Sequence, residues 1–465
     1  MPHPAAEAAV RAKLEADHAP ALLRDTYLHY WRQWAAGETG LLPSSALEPA
    51  PEAPDAEHLP APANAAVWLR RAAVVKLNGG LGTGMGLDRA KSLLPAKDGL
   101  SFLDLIVRQI LRLREQANAP RLPLVFMNSF RTEDDTRAAV ARHPMFAEGQ
   151  GDLPFTFLQH RVPKVSADTG APVDWPRDPD MEWCPPGHGD LYTALMTTGM
   201  LPRLRAAGIE ILFVSNADNL GATLDPRILA WFGDSGLAFA MEVADRTESD
   251  RKGGHVARRR GGGWVLRESA QCPPEDEGDF QDITRYRYFN TNNLWLRLDD
   301  VERALRDRRG ILGLPLIRNE KTVDPTDRTS PRVIQLETAM GAALSAFENA
   351  GILRVPRLRF APVKTTEDLL ALWSDAYERT PEEHVRLRAE RRGVPPVVKL
   401  EGKHYKFIGD FQSRFPEGAP SLLHCARLDV RGDVTFGRNV TVRGSVTVES
   451  GPAARKIPDG TTLEG

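Results

Sequence analysis

The 465-residue chain is 42% hydrophobic and 26% charged, which excludes a chain disordered throughout and, at about 100 to 200 residues per domain, predicts two or three domains. Its 60 Lys and Arg against 62 Asp and Glu leave a net charge of -2, so no global field points to nucleic acid or an anionic membrane, and an anionic ligand must be met locally. Cys184, Cys272 and Cys425 stand apart without disulfide or metal-ligand spacing, and neither Met1–Pro20 nor any later stretch has the apolar run of a leader or a bilayer span, so the cytoplasm is the expected compartment.

From the N-terminus, Glu7 to Ala36 shows helix-like spacing of Ala, Leu, Tyr and Trp, and the Pro- and Ala-rich stretch Leu42 to Ala65 reads as a linker or surface loop. From Ala72 short apolar runs alternate with amphipathic segments. Strands are predicted at Ala72–Leu77, Leu122–Met127, Ile209–Ser215 and Leu237–Val243, and helices at Phe102–Arg114 and Asp190–Ala206. This is an α/β pattern, a mixed sheet with flanking helices, whose ligands gather at the carboxyl ends of strands. Val165 to Asp180, rich in Asp and Pro, carries no readable signal. In the tail, Leu428-Asp-Val, Val434-Thr-Phe, Val440-Thr-Val and Val446-Thr-Val recur every six residues, separated by polar turns. Period six predicts a β-helix, with a plain β-meander as the alternative.

Lys76-Leu-Asn-Gly-Gly-Leu-Gly-Thr-Gly-Met-Gly86 begins where a strand ends and places five glycines in eleven residues. Backbone without Cβ atoms can turn its N–H groups onto phosphate oxygens or a base edge. The loop matches neither the dinucleotide fingerprint nor a Gly-Lys-Ser/Thr loop, so alone it reads only as a nucleotide or phosphate site. Arg89 and Lys91 follow within reach of such phosphates. Pro185-Pro-Gly-His-Gly-Asp190 presents one imidazole just before a helix, and Asn216-Ala-Asp218 ends an apolar strand with a carboxylate that needs a partner or a metal.

These blocks, with Phe102-Leu-Asp-Leu105, Met127-Asn-Ser-Phe130, Phe289-Asn-Thr-Asn-Asn-Leu-Trp295, Gln335-Leu-Glu-Thr-Ala339 and Pro362-Val-Lys-Thr-Thr366 in the same order, resemble the eukaryotic-type UTP–glucose-1-phosphate uridylyltransferases from about Ala72 to the end. The resemblance implies a Rossmann-like nucleotidyltransferase core over 71–375, between a helical region at 1–70 and a domain at 376–465 with a small left-handed β-helix. It implies transfer of the uridylyl group of UTP to glucose 1-phosphate, with Mg²⁺ as cofactor, giving UDP-glucose and pyrophosphate. Leu77, Asn78, Gly79, Gly80, Met127, Gln159 and Gly187 are the expected UTP contacts. His188, Asn216, Glu242, Asn290 and Asn292 are expected around the sugar phosphate. Asp218 is the expected Mg²⁺ ligand, and Lys364 and Lys91 the catalytic cations, which offset charge crowding as two polyanions meet.

Two departures stand out. Gly84 replaces a more usual Ser or Thr, and Asp88-Arg-Ala-Lys91 replaces a Gly-Pro-Lys approach. Where the tail stops puts tail-mediated contacts in doubt, so a monomer or weak homo-oligomer is expected. The rivals are a sister enzyme for N-acetylglucosamine 1-phosphate or galactose 1-phosphate, a silent sugar-nucleotide sensor, and, last, a nicotinamide-dependent dehydrogenase.

Overall fold

The computed structural model describes residues 4–119, 121–143, 146, 150–325 and 327–465, and of Thr83 the backbone alone. Ten strands form the central sheet: β1 Leu47–Pro49, β2 Ala72–Asn78, β3 Leu124–Asn128, β4 Thr156–Leu158, β5 Ile211–Asn216, β6 Phe239–Asp245, β7 His255–Arg259, β8 Trp264–Arg267, β9 Tyr288–Arg297 and β10 Ala350–Arg354. The spatial order is β1-β7-β9-β5-β2-β3-β4, with β6 joining β9 to β10 and β8 beside β7. At its heart β5, β2, β3 and β4 run parallel, so their carboxyl ends open on one edge.

Alternation along β2 divides the core. Ala72 and Val74 face one side with helix α3, Phe102–Gln116, while Ala73 and Val75 face the other with helices α4, Leu191–Thr197, and α5, Met200–Ala206. The N-terminus of α3 is closed by a capping box between Ser101 and Asp104, so its first amides are taken up internally. A hairpin at 95–101 and a 3-10 turn at 91–93 separate α3 from the glycine loop. The single helix predicted over Asp190–Ala206 is two. Gly199 sits at φ +71 in the left-handed region and ends the first, and Pro202 falls in the first turn of the second, where a missing N–H is tolerated.

The N-terminal helices α1, Pro4–Ala16, and α2, Ala21–Ala35, pack on Val162, Val165, Ile334 and Leu336. Tyr27 Oη donates to Pro163 O and Trp31 Nε1 to Gly170 O, which docks the unread Val165 region against them. The stretch Leu42–Ala65, expected as a linker, is a strap: β1 pairs with β7, Leu47 is fully buried, and Ala53 N donates to the Tyr288 hydroxyl. Its prolines leave few amide donors, and it is held at two edges, by β1 on β7 and by a bridge from Asp55 to Arg354 in which Arg354 N donates to Pro54 O.

The hexads stack as parallel strands. Val397–Leu400, Cys425–Arg431, Thr441–Glu449 and Thr462–Glu464 form one face and Val434–Phe436 with Arg455–Ile457 another. Leu428 lies opposite Val446, three hexads on, and Leu428, Val434, Phe436, Val440 and Val446 are buried. A meander would pair antiparallel, so the β-helix reading holds.

Candidate active site

The strand ends stand side by side, with Asn216 opposite Leu77, Leu77 opposite Met127 and Asn78 opposite Asn128. The Asn78 amide is turned inward, donating to Asn128 Oδ1 at 2.9 Å and Thr136 Oγ1 at 2.8 Å, so only its backbone is left to meet a ligand. Met127, beside Leu77 in the neighbouring strand, is almost wholly buried. Gly79 and Gly80 follow. A Cβ on Gly79 would lie 2.6 Å from Gln159 Oε1, and Ser129 Oγ donates to Gly79 O, so glycine is what lets loop and amide meet.

Gln159 donates in turn from Nε2 to Gly187 O at 2.9 Å. The next residue, His160, is locked to Asp190 by its backbone N–H at 2.8 Å and its Nδ1 at 2.9 Å. Gly187 has φ +79, and a Cβ there would run into Thr338 O. Gly189 N donates to Thr338 O and Thr338 N to Pro186 O, zipping the 185–190 turn to the 335–339 block. His188 Nδ1 accepts from Met340 N at 3.0 Å, and the loss of solvent around the ring pulls its pKa down to about 4. The imidazole is therefore neutral at physiological pH, and with Nδ1 accepting, Nε2 carries the proton and can donate.

The charged side is built differently. Lys91 N is tied to Gly80 O, and Lys91 Nζ donates to Asp218 Oδ2 at 2.7 Å. Asp218 Oδ1 is buried and has no hydrogen-bond partner among the described residues. Ala217 N donates to Leu77 O, and Val363 N to Asp218 O, so the segment bearing Lys364 is stitched to the turn bearing Asp218. The Lys364 backbone N–H is fixed by Asp368, which also closes a capping box with Thr365, while the side chain is exposed. Arg89 lies exposed, and Gly84 has open space around it, so the missing side chain there costs no packing.

Among the described residues no group of three His, Cys, Asp or Glu could hold a metal unaided, and no helix is long and apolar enough to cross a membrane. One open carboxylate oxygen nevertheless fits Mg²⁺, which binds through one or two carboxylates and completes its octahedron with substrate phosphates and water.

On the remaining side, β9 bulges against β6. Glu242 faces Asn293 and Val243 faces Asn290, so Thr291 and Asn292 are extra, and Asn292 takes φ +58. The bulge re-aims two amides. Asn290 Nδ2 donates to Asn292 Oδ1 and Asn292 N to Asn290 Oδ1, both at 2.8 Å. Asn290 abuts Gly341, next to the residue that holds His188. Glu242 does not join this group. It is fully buried, its carboxylate accepting from Arg359 Nε and Nη2 at 2.8 and 2.7 Å, from Asn293 Nδ2 and from Trp295 Nε1. The expectation of Glu242 at the sugar is corrected to a structural ion pair, because both oxygens are already used inside the protein.

The sequence profile of the UTP–glucose-1-phosphate uridylyltransferases matches residues 38–443. The chain belongs to this family. It is 42% identical over 402 residues to the probable UTP–glucose-1-phosphate uridylyltransferase of Schizosaccharomyces pombe, covering 85% of this chain and 77% of that one. The Solanum tuberosum enzyme is 40% identical over 405 residues, 86% and 82% of the two chains. Among solved structures, a point variant of Leishmania major UDP-glucose pyrophosphorylase in complex with UDP-glucose superposes with a TM-score of 0.92 at 44% identity, covering 99% and 98% of the two chains.

Sequence reasoning missed several residues of this uridylyltransferase-family site. Thr338 and Asp190 lie inside blocks that were read only as motifs, yet they hold Gly187 and Gln159 in place. Glu268 carries no motif. It is half-buried, desolvation raises its pKa, and the charge of Lys364 pulls it back down, which puts a carboxylate within electrostatic reach of that lysine. Lys76 and Arg359, buried behind the Asp218 turn, gave no signal beyond an unusual charge in an apolar run.

Proposed function

We propose that the protein joins UTP to glucose 1-phosphate, forming UDP-glucose and pyrophosphate, at the strand ends described above. The observation that carries this reading is the Lys91–Asp218 pair with its open Oδ1, set between the glycine loop and Lys364. The backbone of Leu77–Gly80 and the Gln159 amide meet the uracil, which they distinguish without charge. His188, as a neutral Nε2–H donor, binds an oxygen of the phosphate region.

An oxygen of the sugar phosphate attacks the α-phosphorus in line. One P–O bond forms as the bond to the β-phosphate bridge breaks, and the electron pair leaves with pyrophosphate. Lys91 moves from Asp218 to the triphosphate, and Lys364 meets the incoming phosphate. Both are positional and electrostatic aids, because two polyanions must approach and nothing covalent is asked of the protein. Asp218, with Asn216 beside it, would hold Mg²⁺, which when bound screens the phosphate charges. Asn290 and Asn292 supply amides to the sugar hydroxyls, and Glu268 the carboxylate that Glu242 cannot. One phosphoanhydride replaces another, so the reaction is reversible. We place it in the cytoplasm, on a monomer or weak homo-oligomer with no nucleic-acid or membrane partner, consistent with three free cysteines.

Pyrophosphate release is measured with UTP, Mg²⁺ and glucose 1-phosphate, with N-acetylglucosamine 1-phosphate, galactose 1-phosphate and other nucleoside triphosphates in parallel. Turnover confined to UTP with glucose 1-phosphate is expected. Preference for another sugar moves the function to a sister reaction, and binding without turnover makes the protein a sensor.

A further inference from the structure

Behind the phosphate side lies a lysine that faces away from the nucleotide. Lys76 is the fifth residue of β2, so it points to the sheet face opposite Leu77, into the interior, where it is 2% exposed. Its Nζ donates to Ser215 Oγ at 2.7 Å and to Ala222 O at 2.6 Å. Those two acceptors bracket the turn that carries Asp218: Ser215 is the last-but-one residue of β5, and Ala222 is where the chain leaves the turn. One amine therefore pins entry and exit together.

The apex is pinned from elsewhere. Asn219 Nδ2 donates to Arg359 O at 3.0 Å, and Asn219 Oδ1 accepts from Gly221 N and Ala361 N. Arg359 adds a bond from Nη2 to Thr223 O at 2.8 Å while Glu242 holds its guanidinium. An apolar residue at position 76 would leave a buried carbonyl and a buried hydroxyl without this donor, and only backbone bonds such as Ala217 N to Leu77 O would still tie β2 to the entry of the turn, with the exit at Ala222 released from the strand. Desolvation and the nearby Arg359 pull the amine down to about 7, against the opposing pull of Glu242 and Asp218, so the fold retains this group at an electrostatic cost.

We propose that Lys76 is a positioning residue that fixes the Asp218 carboxylate, through Ser215 and Ala222, at the height where a divalent cation on the triphosphate meets its open oxygen. This rests on the reading of Asp218 as metal ligand. It assigns Lys76 no contact with substrate.

The surroundings supply a test. A cavity of about 240 Å³ is lined by Lys76, Ile106, Gln109, Ala222, Leu224 and the exposed His384. Truncating the lysine enlarges a space that a small alkylammonium ion can enter.

Binding of Mn²⁺, as a paramagnetic probe, is measured by water-proton relaxation with UTP and without sugar phosphate. Wild type is compared with Lys76→Met, Lys76→Ala and Asp218→Asn, each also assayed kinetically. Lys76→Met should weaken Mn²⁺ binding and lower kcat by about tenfold each, with KM for glucose 1-phosphate within about twofold. In Lys76→Ala, ethylammonium or propylammonium should restore both, and alcohols of the same length should not. Unchanged Mn²⁺ affinity in Lys76→Met, with only a lower melting temperature, overturns the proposal, as does equal rescue by alcohols. Wild-type Mn²⁺ affinity in Asp218→Asn removes the metal reading itself, a failure distinct from that of Lys76.

Discussion

The two sides of the site solve different problems. Around Gly79, Gln159, Gly187 and His188 the polar groups are neutral and each is fixed from one side, Gln159 Nε2 on Gly187 O and His188 Nδ1 by Met340 N, which leaves the His188 Nε2–H to donate. Around Lys91, Asp218 and Lys364 the groups are charged and partly open: one carboxylate oxygen is unpaired and one lysine is exposed. In the proposed reaction the base is recognised in the same form before and after, so a rigid collar would serve it. Phosphates change charge distribution along the reaction, so the groups that meet them must be free to change partners.

Breaking the charged side should have the largest effect. Asp218→Asn and Lys364→Met are each expected to lower kcat by about 10²- to 10³-fold, since they remove charge where it develops, while UTP binding without metal changes little. Steady-state kinetics with calorimetric UTP titration check this. A drop in kcat below tenfold for either variant would remove the distinction between the two sides.

Breaking the collar should act on binding. Gly79→Ala drives a methyl into Gln159 Oε1, so the UTP dissociation constant should rise about 10- to 100-fold with kcat nearly unchanged. Because the clash is with one side chain, the double variant Gly79→Ala/Gln159→Ala should be less impaired than the two single losses multiplied. Strict additivity in that cycle would show that glycine serves the loop's backbone rather than the amide.

The same contrast explains what was legible beforehand. The collar and the lysines announce themselves locally, through glycine spacing and through charges at the ends of apolar runs, and the hexads through their period. What the sequence could not disclose is pairing across the fold. Glu242 has the look of a sugar ligand until Arg359, 117 residues later, arrives to neutralise it. The bulge at Thr291 and Asn292 exists only in register with β6. Thr338 meets Gly187 because two loops fold together, and a Pro-rich stretch that resembles a linker is held by a few edge bonds. Residues that act on ligands tend to sit in motifs, whereas those that hold them are defined by distant partners.

The smallest expected effect, taken per pH unit, concerns protons. His188 titrates near 6.5 when unfolded and at about 4 when folded, because burial in the collar strips solvent from the charged ring. Below 6.5 the unfolded chain binds a proton that the folded chain refuses, so this stabilisation is complete above pH 6.5 and is lost as pH falls toward about 4. His255, fully buried against Tyr286 and Phe280 and held down to about 2, contributes in the same direction over a wider range. Urea unfolding at successive pH values should therefore show stability falling by up to roughly 1.4 kcal/mol per pH unit for each histidine. His188→Gln should flatten that slope between pH 6.5 and 4 and leave His255's share intact. A slope unchanged by His188→Gln would mean that the imidazole takes up its proton in the folded state, and the collar would then not be the neutral side of the site.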